Sequence, residues 1–219
     1  MVPPASPVYV ETGAKRTFAC SLAWPGLARQ GKSEEAALVV LGSYVPRYAP
    51  VAARAGLKFD LFDEQAWKVV ERVPTRSGGA DFGVPTTVLG SDEPPVSPDE
   101  ARRTAAVLAA AWELFDEMVA GAPERLRKGP RGGGRDRDAI VAHVAGAEQM
   151  FGGKVGVKLP VPASGDAEAV AANRAALLSW CRSGDATPAA RSGWPPRYAA
   201  RRLIWHVLDH LWEIEDRRE

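Results

Sequence analysis

Cysteine is scarce in this sequence, which holds only Cys20 and Cys181 among its 219 residues. The two form neither a Cys-x-x-Cys pair nor a spacing that is familiar from zinc sites. The sequence therefore gives no support to a disulfide framework or to a cysteine-based metal site. We expect both thiols to be reduced.

An excess of charge of either sign and long apolar runs are also missing. Lys and Arg number 28 against 27 Asp and Glu, which leaves a formal net charge of +1. A diffuse basic field is therefore absent, and nucleic acid is not an expected partner. No stretch approaches the roughly 18 to 20 apolar residues of a membrane span, and the first residues lack the apolar core of a signal peptide. These absences predict a cytoplasmic protein without a membrane partner.

The segment from Val73 to Pro98 concentrates Gly, Pro, Ser and Thr between two regions of regular hydrophobic pattern. Clusters of these residue types mark turns and linkers. We therefore predict a small α+β domain over residues 1–75, a linker over residues 76–96 and a helical domain over residues 97–219. The fold class predicted for the whole chain is α+β.

In the first part, β-branched and aromatic residues predict strands in KRTFACSLA, FDLF and WKVVERV. Ser33 is a good N-cap, and Glu34 and Glu35 follow it in the first turn, where the helix dipole favours acids. This pattern predicts a helix from Ser33 toward Tyr44. A second short helix is predicted over residues 47–55.

The second part shows amphipathic helical periodicity four times. Ser97 caps the first helix, and Pro98 occupies its first position, where proline is favoured. The predicted helices run from residue 97 to about 121, from the end of the loop RKGPRGGGRDRD past Phe151, from 166 to 181 and from 197 to 217. Four such helices in succession predict a four-helix bundle. Trp205 and Trp212 lie away from the apolar arc of the last helix, and we interpret them as a surface that contacts the N-terminal module or a dimer partner; the alternative is partial exposure.

The sequence contains three histidines, His143, His206 and His210, and they fall on two of these helices. His206 and His210 are four residues apart, which places them about 40° apart on one helix face. His143 lies within the inward arc of its own helix. Neutral imidazole is a preferred ligand of divalent transition metals, and catalytic zinc commonly has three protein ligands and an open position. We therefore predict that the three histidines bind one metal ion; the alternative is that each is an ordinary half-buried side chain.

Glu213 follows His210 by three residues and His206 by seven, so it shares their helix face. It is the candidate catalytic residue, because it could orient an imidazole, ligate the metal or act as a base. The alternative is an exposed acid that pairs with Arg217 at i+4.

The loop RKGPRGGGR, which ends at Arg135, precedes the N-terminus of the second predicted helix. Backbone N–H groups at a helix N-terminus, together with nearby cations, can hold a carboxylate or a phosphate. The Gly-Lys-Ser/Thr ending of a nucleotide-binding P-loop is missing. An anion site and a plain interhelix loop both agree with this pattern.

Two segments around the histidines resemble a known superfamily. AIVAHVAGAEQ around His143 and LIWHVLDHLWEIEDR around His206 and His210 resemble the second-helix and fourth-helix ligand segments of the DinB/YfiT-like metalloproteins. The resemblance covers about residues 97–219 and implies an up-and-down bundle in which the three histidines hold Zn²⁺ or Ni²⁺ at the open end. It also implies a homodimer. Because one branch of the superfamily contains mycothiol-dependent isomerases, a low-molecular-weight thiol is an implied partner.

The region of about residues 8–55 resembles the small α+β domain of HicB-type antitoxins. The resemblance rests on the segment FACSLAWPGLARQGKSEEAAL. The shared order is strand, Pro-Gly turn, strand, turn and acidic-capped helix. No DNA-binding helix-turn-helix or ribbon is evident after this segment. We therefore favour a module for dimerisation or for covering the bundle over an antitoxin.

Taken together, the patterns predict a metal-dependent enzyme that activates water or a thiol for hydrolysis or thiol transfer on a small molecule. The alternative from another class is a non-catalytic protein that binds or sequesters a small molecule through the metal. An antitoxin-like regulator is a further alternative.

Overall fold

The computed structural model describes residues 6–60, 67–76, 78–129, 133–163, 165–184 and 193–218. The chain divides into two compact units, Met1–Gly90 and Ser91–Glu219. In the described ranges, the first unit contains a four-stranded mixed sheet and two α-helices, and the second contains four α-helices. The predicted α+β class is confirmed.

The sheet of the first unit has the strand order β3-β2-β1-β4. Its strands are β1 (Ser6–Thr12), β2 (Thr17–Ser21), β3 (Ala28–Gly31) and β4 (Trp67–Pro74). Strand β1 pairs antiparallel with β2 and parallel with β4, while β2 pairs antiparallel with β3. The strands predicted in KRTFACSLA and WKVVERV are confirmed as β2 and β4. The strand predicted for FDLF is not formed at Phe59 and Asp60, and the last two residues of that segment lie outside the described residues.

Helices α1 (Glu34–Ser43) and α2 (Val45–Arg54) follow the first three strands, as predicted. The side chain of Ser33 caps α1 by accepting a hydrogen bond from the backbone nitrogen of Ala36 at 3.2 Å. The start of α1 comes so close to strand β3 that a Cβ atom on Gly31 would collide with the backbone of α1. Glycine is therefore required at this position for reasons of space.

Helices α1 and α2 are separated by a bend of 50°. Tyr44 ends α1 and begins α2, and Pro46 lies in the first turn of α2, where the missing N–H costs no helical hydrogen bond. Within the described ranges, no single helix is long and apolar enough to cross a membrane. Only α1 and α2 taken together reach that length and composition.

The segment 76–96, which the sequence predicts as a linker, includes the division between the two units after Gly90. Its first half packs on the sheet unit. The carboxylate of Asp81 accepts hydrogen bonds from the backbone nitrogens of Ala14, Lys15 and Arg16, in the turn between β1 and β2, at 2.6–3.0 Å. The residues before Gly90 are thus held to the strands by specific contacts.

The four helices predicted in the second part of the chain are present. They are α3 (Pro98–Gly121), α4 (Arg137–Lys154), α5 (Ala167–Ser183) and α6 (Pro196–Arg217). Ser97 and Asp166 cap α3 and α5 through their side-chain oxygens. Helix α3 packs against α5 and α6, and α4 packs against the same two helices. The apolar stripes of all four helices are thereby covered within the unit.

A buried carboxylate joins α3, α4 and α5. Glu148 accepts a hydrogen bond from Nε1 of Trp112 at 2.6 Å, and Nε of Arg174 lies 3.3 Å from both carboxylate oxygens. Arg174 also donates to Asp116 at 2.9 Å. Burial raises the pKa of Glu148, and the charge of Arg174 opposes that change. Every polar end of this group therefore has a protein partner, which is what a structural role requires.

Candidate metal centre

The three histidines lie on two helices that pack against each other, with His143 on α4 and His206 and His210 on α6. Their ring centroids form a nearly equilateral triangle with sides of 4.6, 4.8 and 5.0 Å. One candidate ligand atom from each residue lies within 4.8 Å of the others. The predicted convergence of the three side chains is therefore present.

The ring nitrogens are spaced as ligands of one ion would be. Nε2 of His143 and Nε2 of His206 are 3.2 Å apart. Two nitrogens bound to a tetrahedral ion at about 2.0–2.1 Å would be separated by about 3.3 Å. Because Nδ1 of His210 is hydrogen-bonded to Glu213 at 2.8 Å, its Nε2 is the nitrogen that remains for the same centre. The donor set therefore fits a divalent transition metal.

Burial favours the form of the imidazoles that binds metal. His206 and His210 are 7% and 8% exposed, whereas His143 is half-buried. Burial, with smaller contributions from the charges of His210 and His143, lowers the pKa of His206 to about 2. Burial likewise lowers the pKa of His143. Both rings are thus neutral near pH 7, which leaves a ring nitrogen lone pair available.

Aromatic side chains form the apolar surroundings of His206. The ring of Phe151 meets it edge-to-face at 5.6 Å, and the ring of Trp205 lies 6.4 Å away. Nδ1 of His206 is buried and has no hydrogen-bond partner among the described residues. A buried polar atom without a partner costs about 1–3 kcal/mol. Because Nε2 of His206 faces His143, a metal bound there would leave Nδ1 with the ring proton and still unpaired, so metal binding does not offset this cost.

Glu213 does not join the converging ligand atoms, and it contacts the centre through His210. One carboxylate oxygen is hydrogen-bonded to Nδ1 of His210, and the other accepts from Nη1 of Arg217 at 2.5 Å. Glu213 thus makes both contacts that the sequence suggested: it orients the imidazole of His210 and it pairs with Arg217. Burial alone would raise the pKa of Glu213, but the hydrogen bond with His210 and the charges of His210 and Arg217 lower it overall.

Arg217 also holds the loop between α3 and α4. Its Nε donates to the carbonyl oxygen of Arg127 and its Nη2 to the carbonyl oxygen of Arg135, both at 2.8 Å. In return, the backbone nitrogen of Arg127 donates to the carbonyl oxygen of Arg217 at 2.8 Å. The loop in which the sequence suggested an anion site is therefore tied to the same helix turn as Glu213. Residues 130–132 of this loop lie outside the described residues.

Several contributors to this centre have weak signals in the sequence or none. Arg217 could be found from its i+4 spacing to Glu213, but nothing in the sequence indicates that it binds two loop carbonyls. Trp205 and Trp212 are only 3% and 1% exposed, so the sequence alternatives of partial exposure and of a free surface for a dimer partner are wrong. Helix α6 is buried on most of its circumference rather than along one arc.

Neither cysteine belongs to the cluster of converging ligand atoms. Cys20 and Cys181 are buried thiols, and burial raises the pKa of Cys181 to about 12. A buried neutral thiol is a poor nucleophile and a poor ligand. The chemistry of this centre therefore depends on imidazole.

Comparisons with protein-family models, with curated proteins and with solved structures find no match for this chain. The chemistry of the site consequently has to be inferred from its own geometry. Three imidazoles, two of them buried, form a donor set that suits zinc, nickel, copper or iron and leaves further coordination positions open.

Proposed function

We propose that the helical unit is a metal-dependent enzyme in which His143, His206 and His210 hold Zn²⁺ or Ni²⁺. The proposed reaction is hydrolysis of a small molecule or transfer of a low-molecular-weight thiol to it. The observation that carries the proposal is the convergence of the three imidazoles, with 3.2 Å between Nε2 of His143 and Nε2 of His206. The resemblance to DinB/YfiT-like proteins supports the same ligands and an up-and-down bundle.

A divalent metal bound by three neutral ligands is a Lewis acid, and it lowers the pKa of a coordinated water or thiol so that a nucleophile forms near neutral pH. The protein supplies the surroundings for this chemistry. His210 is held in one orientation and one tautomer by Glu213, and Glu213 is held ionised by Arg217. Since both carboxylate oxygens of Glu213 are occupied, we propose that it positions His210 rather than acting as the base.

The low exposure of His206 and His210 shields the centre from bulk water, while the half-buried His143 marks its accessible side. Shielding strengthens the electrostatic effect of a bound ion. A small molecule would therefore approach from the side of α4 that carries His143. The apolar ring of Phe151 would exclude water from the His206 ring that it contacts.

Metal analysis of the purified protein tests this proposal. We expect about one Zn²⁺ or Ni²⁺ per chain, loss of that metal in His206→Ala, and retention of it in the control Phe151→Leu, which alters the same neighbourhood without removing a ligand. A folded protein that remains metal-free after incubation with Zn²⁺ and with Ni²⁺ would contradict the proposal. A screen of thiols with electrophiles and of hydrolysable esters, with and without metal, then separates the two reactions.

A non-catalytic metal-dependent binding protein is the second candidate. It is favoured by the two hydrogen bonds of Glu213, because they hold its carboxylate against His210 and Arg217 in a positioning role rather than as a catalytic base. The screen distinguishes the two candidates, since a binding protein would retain a ligand in the presence of metal and show no turnover. Metal content alone would be the same for both.

A further inference from the structure

A cleft of about 790 Å³ lies between helices α4 and α5, and residues from the second half of α3 also line it. We refer to it as the α4–α5 cleft. Pockets that bind small molecules have volumes of about 300–1,000 Å³. None of the three histidines lines this cleft, and neither does Glu213. The α4–α5 cleft is therefore a candidate binding site that is separate from the metal centre.

Small residues on both helices leave the space for this cleft. Those that line it are Ala142, Ala145 and Gly146 on α4 and Ala167 and Ala171 on α5. A Cβ atom on Gly146 would meet nothing within 4 Å, whereas one on Gly152 of the same helix would collide with the side chain of Leu159. Packing thus requires glycine at position 152 and does not require it at position 146. The glycine at position 146 instead keeps the cleft wide.

The walls of the α4–α5 cleft are aliphatic. Val119, Val141 and Val170 line it from three helices, and among the described residues no aromatic side chain does so. Val161, in the segment between α4 and α5, also lines the cleft, and it is 76% exposed. An aliphatic ligand would remove Val161 and the alanine side chains from water, and removal of apolar surface from water is favourable. The walls therefore suit a ligand with an aliphatic body.

Acids outnumber bases among the charged side chains that line the cleft, which are Asp116, Asp138 and Asp166 against Arg137 and Arg174. Both bases already contact carboxylates. Arg174 is shared between Asp116 at 2.9 Å and the buried Glu148 at 3.3 Å, which lies behind it. Arg137 contacts Asp138 at 2.8 Å.

The acids of the cleft remain accessible to a ligand. The side chains of Asp116 and Asp138 are 61% and 70% exposed, and an ionised carboxylate can accept more hydrogen bonds than the ones that these two residues make within the protein. An anionic ligand would be repelled by the excess of carboxylates, whereas a cationic group would be attracted to it. The charge of the cleft therefore favours a cation.

We propose that the α4–α5 cleft binds a small aliphatic molecule that carries a cationic amine. The aliphatic body would pack between the two helices against Val161 and the alanine side chains. The ammonium group would donate hydrogen bonds to the carboxylates that line the cleft. This site would bind its ligand whether or not the histidines hold a metal ion, so it is an addition to the proposed enzyme.

Titration of the full chain with the amine, the alcohol and the carboxylate of adamantane tests this assignment, because the three compounds share one rigid aliphatic body and differ in charge. Amide chemical shifts in the NMR spectrum report both the affinity and the location of binding. We expect shifts in α4 and α5, and binding in the order amine, alcohol, carboxylate. The amine should bind roughly fivefold more tightly than the alcohol, which is the upper end for an exposed ion pair.

Gly146→Leu fills the cleft from the side of α4. The open space at this position accommodates the larger side chain, and leucine is a better helix former than glycine. The dissociation constant of the amine should rise about tenfold or more, because leucine occupies the space of the ligand. Gly153→Leu is the matched control, since a Cβ atom on Gly153 also meets nothing within 4 Å and this residue of α4 does not line the cleft. It should bind the amine as the unchanged protein does.

Unchanged affinity of Gly146→Leu for the amine would place the ligand elsewhere and overturn the assignment of the cleft. Equal affinity of the unchanged protein for the amine and the alcohol, or tightest binding of the carboxylate, would overturn the cationic class. Absence of binding by all three compounds would overturn the proposal as a whole, and amide shifts in α4 and α5 on dilution would then assign the cleft to a contact between two copies of the chain. Metal content measured on the same samples judges the proposed function separately.

Discussion

In the sheet-containing unit the carboxylate of Glu11 is fully buried, and the protein provides it with hydrogen bonds from three threonines. It accepts from the hydroxyl group of Thr75 at 2.6 Å and from the backbone nitrogens of Thr86 and Thr87 at 3.0–3.1 Å. In the helical unit the buried rings of His206 and His210 instead face His143, and Nδ1 of His206 has no partner in the described part of the chain. Both centres are buried, but the carboxylate of Glu11 is fully hydrogen-bonded and Nδ1 of His206 is not.

This difference separates a structural polar group from a candidate site. Glu148 shows that the distinction does not follow the boundary between the units, because it lies in the helical unit and is paired as completely as Glu11. A buried polar group with protein partners holds elements together, whereas converging groups without partners require something else to bind them. In the histidine cluster the outer nitrogen of His210 has a partner in Glu213, whereas the nitrogens that converge face only one another, so the cluster is of the second kind.

Metal binding should produce the largest difference in stability between the unit that contains Glu11 and the unit that contains the histidine cluster. At Zn²⁺ concentrations 1,000-fold above the dissociation constant, the free energy of unfolding of the helical unit should rise by about 4 kcal/mol, because only the folded state presents all three ligands. Hydrogen exchange read by mass spectrometry should show the greatest slowing in α4 and α6. The His206→Ala protein should show no gain. Slowing of equal size in His206→Ala would mean that the metal binds elsewhere.

Removal of the charge of Glu11 should have a smaller effect than metal binding. It should lower the free energy of unfolding and leave metal binding unchanged. In Glu11→Gln the backbone donors of Thr86 and Thr87 lose a charged acceptor, and one side of the new amide presents N–H groups to them. We expect a loss of about 2 kcal/mol in the free energy of unfolding, measured by urea denaturation. Metal content should be unchanged.

Glu71→Gln, in strand β4 of the same sheet, is the control for Glu11→Gln. Glu71 is only half-buried, and its change should alter stability by less than about 0.5 kcal/mol. Equal effects of the two substitutions would show that the hydrogen bonds to Glu11 are not what makes it structural.

The sequence was most informative where the determinants are local. Ser33, Ser97 and Asp166 accept hydrogen bonds from the first turns of their helices as the capping pattern predicts. The i+4 spacing of His206 and His210 places both rings on one face for the same reason. That His143 meets them depends in addition on the packing of α4 against α6, which the inward arc of each helix indicated.

The sequence was least informative where partners are distant along the chain. Strand β1 was not predicted, although Val8, Tyr9 and Val10 are typical strand residues; what the local pattern does not contain is its parallel pairing with β4, which joins residues as distant as Ser6 and Trp67. The burial of Trp205 and Trp212 depends on which helices surround α6, and a helical wheel does not contain that information. The contact of Arg217 with the carbonyl oxygen of Arg135 is equally invisible, since every residue has the same carbonyl group.

The smallest of these effects is expected from Glu213→Gln, because Glu213 contacts the histidine cluster only through His210. The substitution keeps the size of the side chain but removes the charge that holds Nδ1 of His210. Because the glutamine oxygen can still accept from Nδ1 of His210, we expect metal affinity to weaken about tenfold, the low end of the usual range, or about 1.4 kcal/mol. Competition of the protein with a chromophoric chelator for Zn²⁺ measures this change, and Glu215→Gln on the same helix is the control. If Glu213→Gln kept full affinity, His210 would be oriented by packing alone, and the unsatisfied histidine cluster would need no support from the protein's own charges.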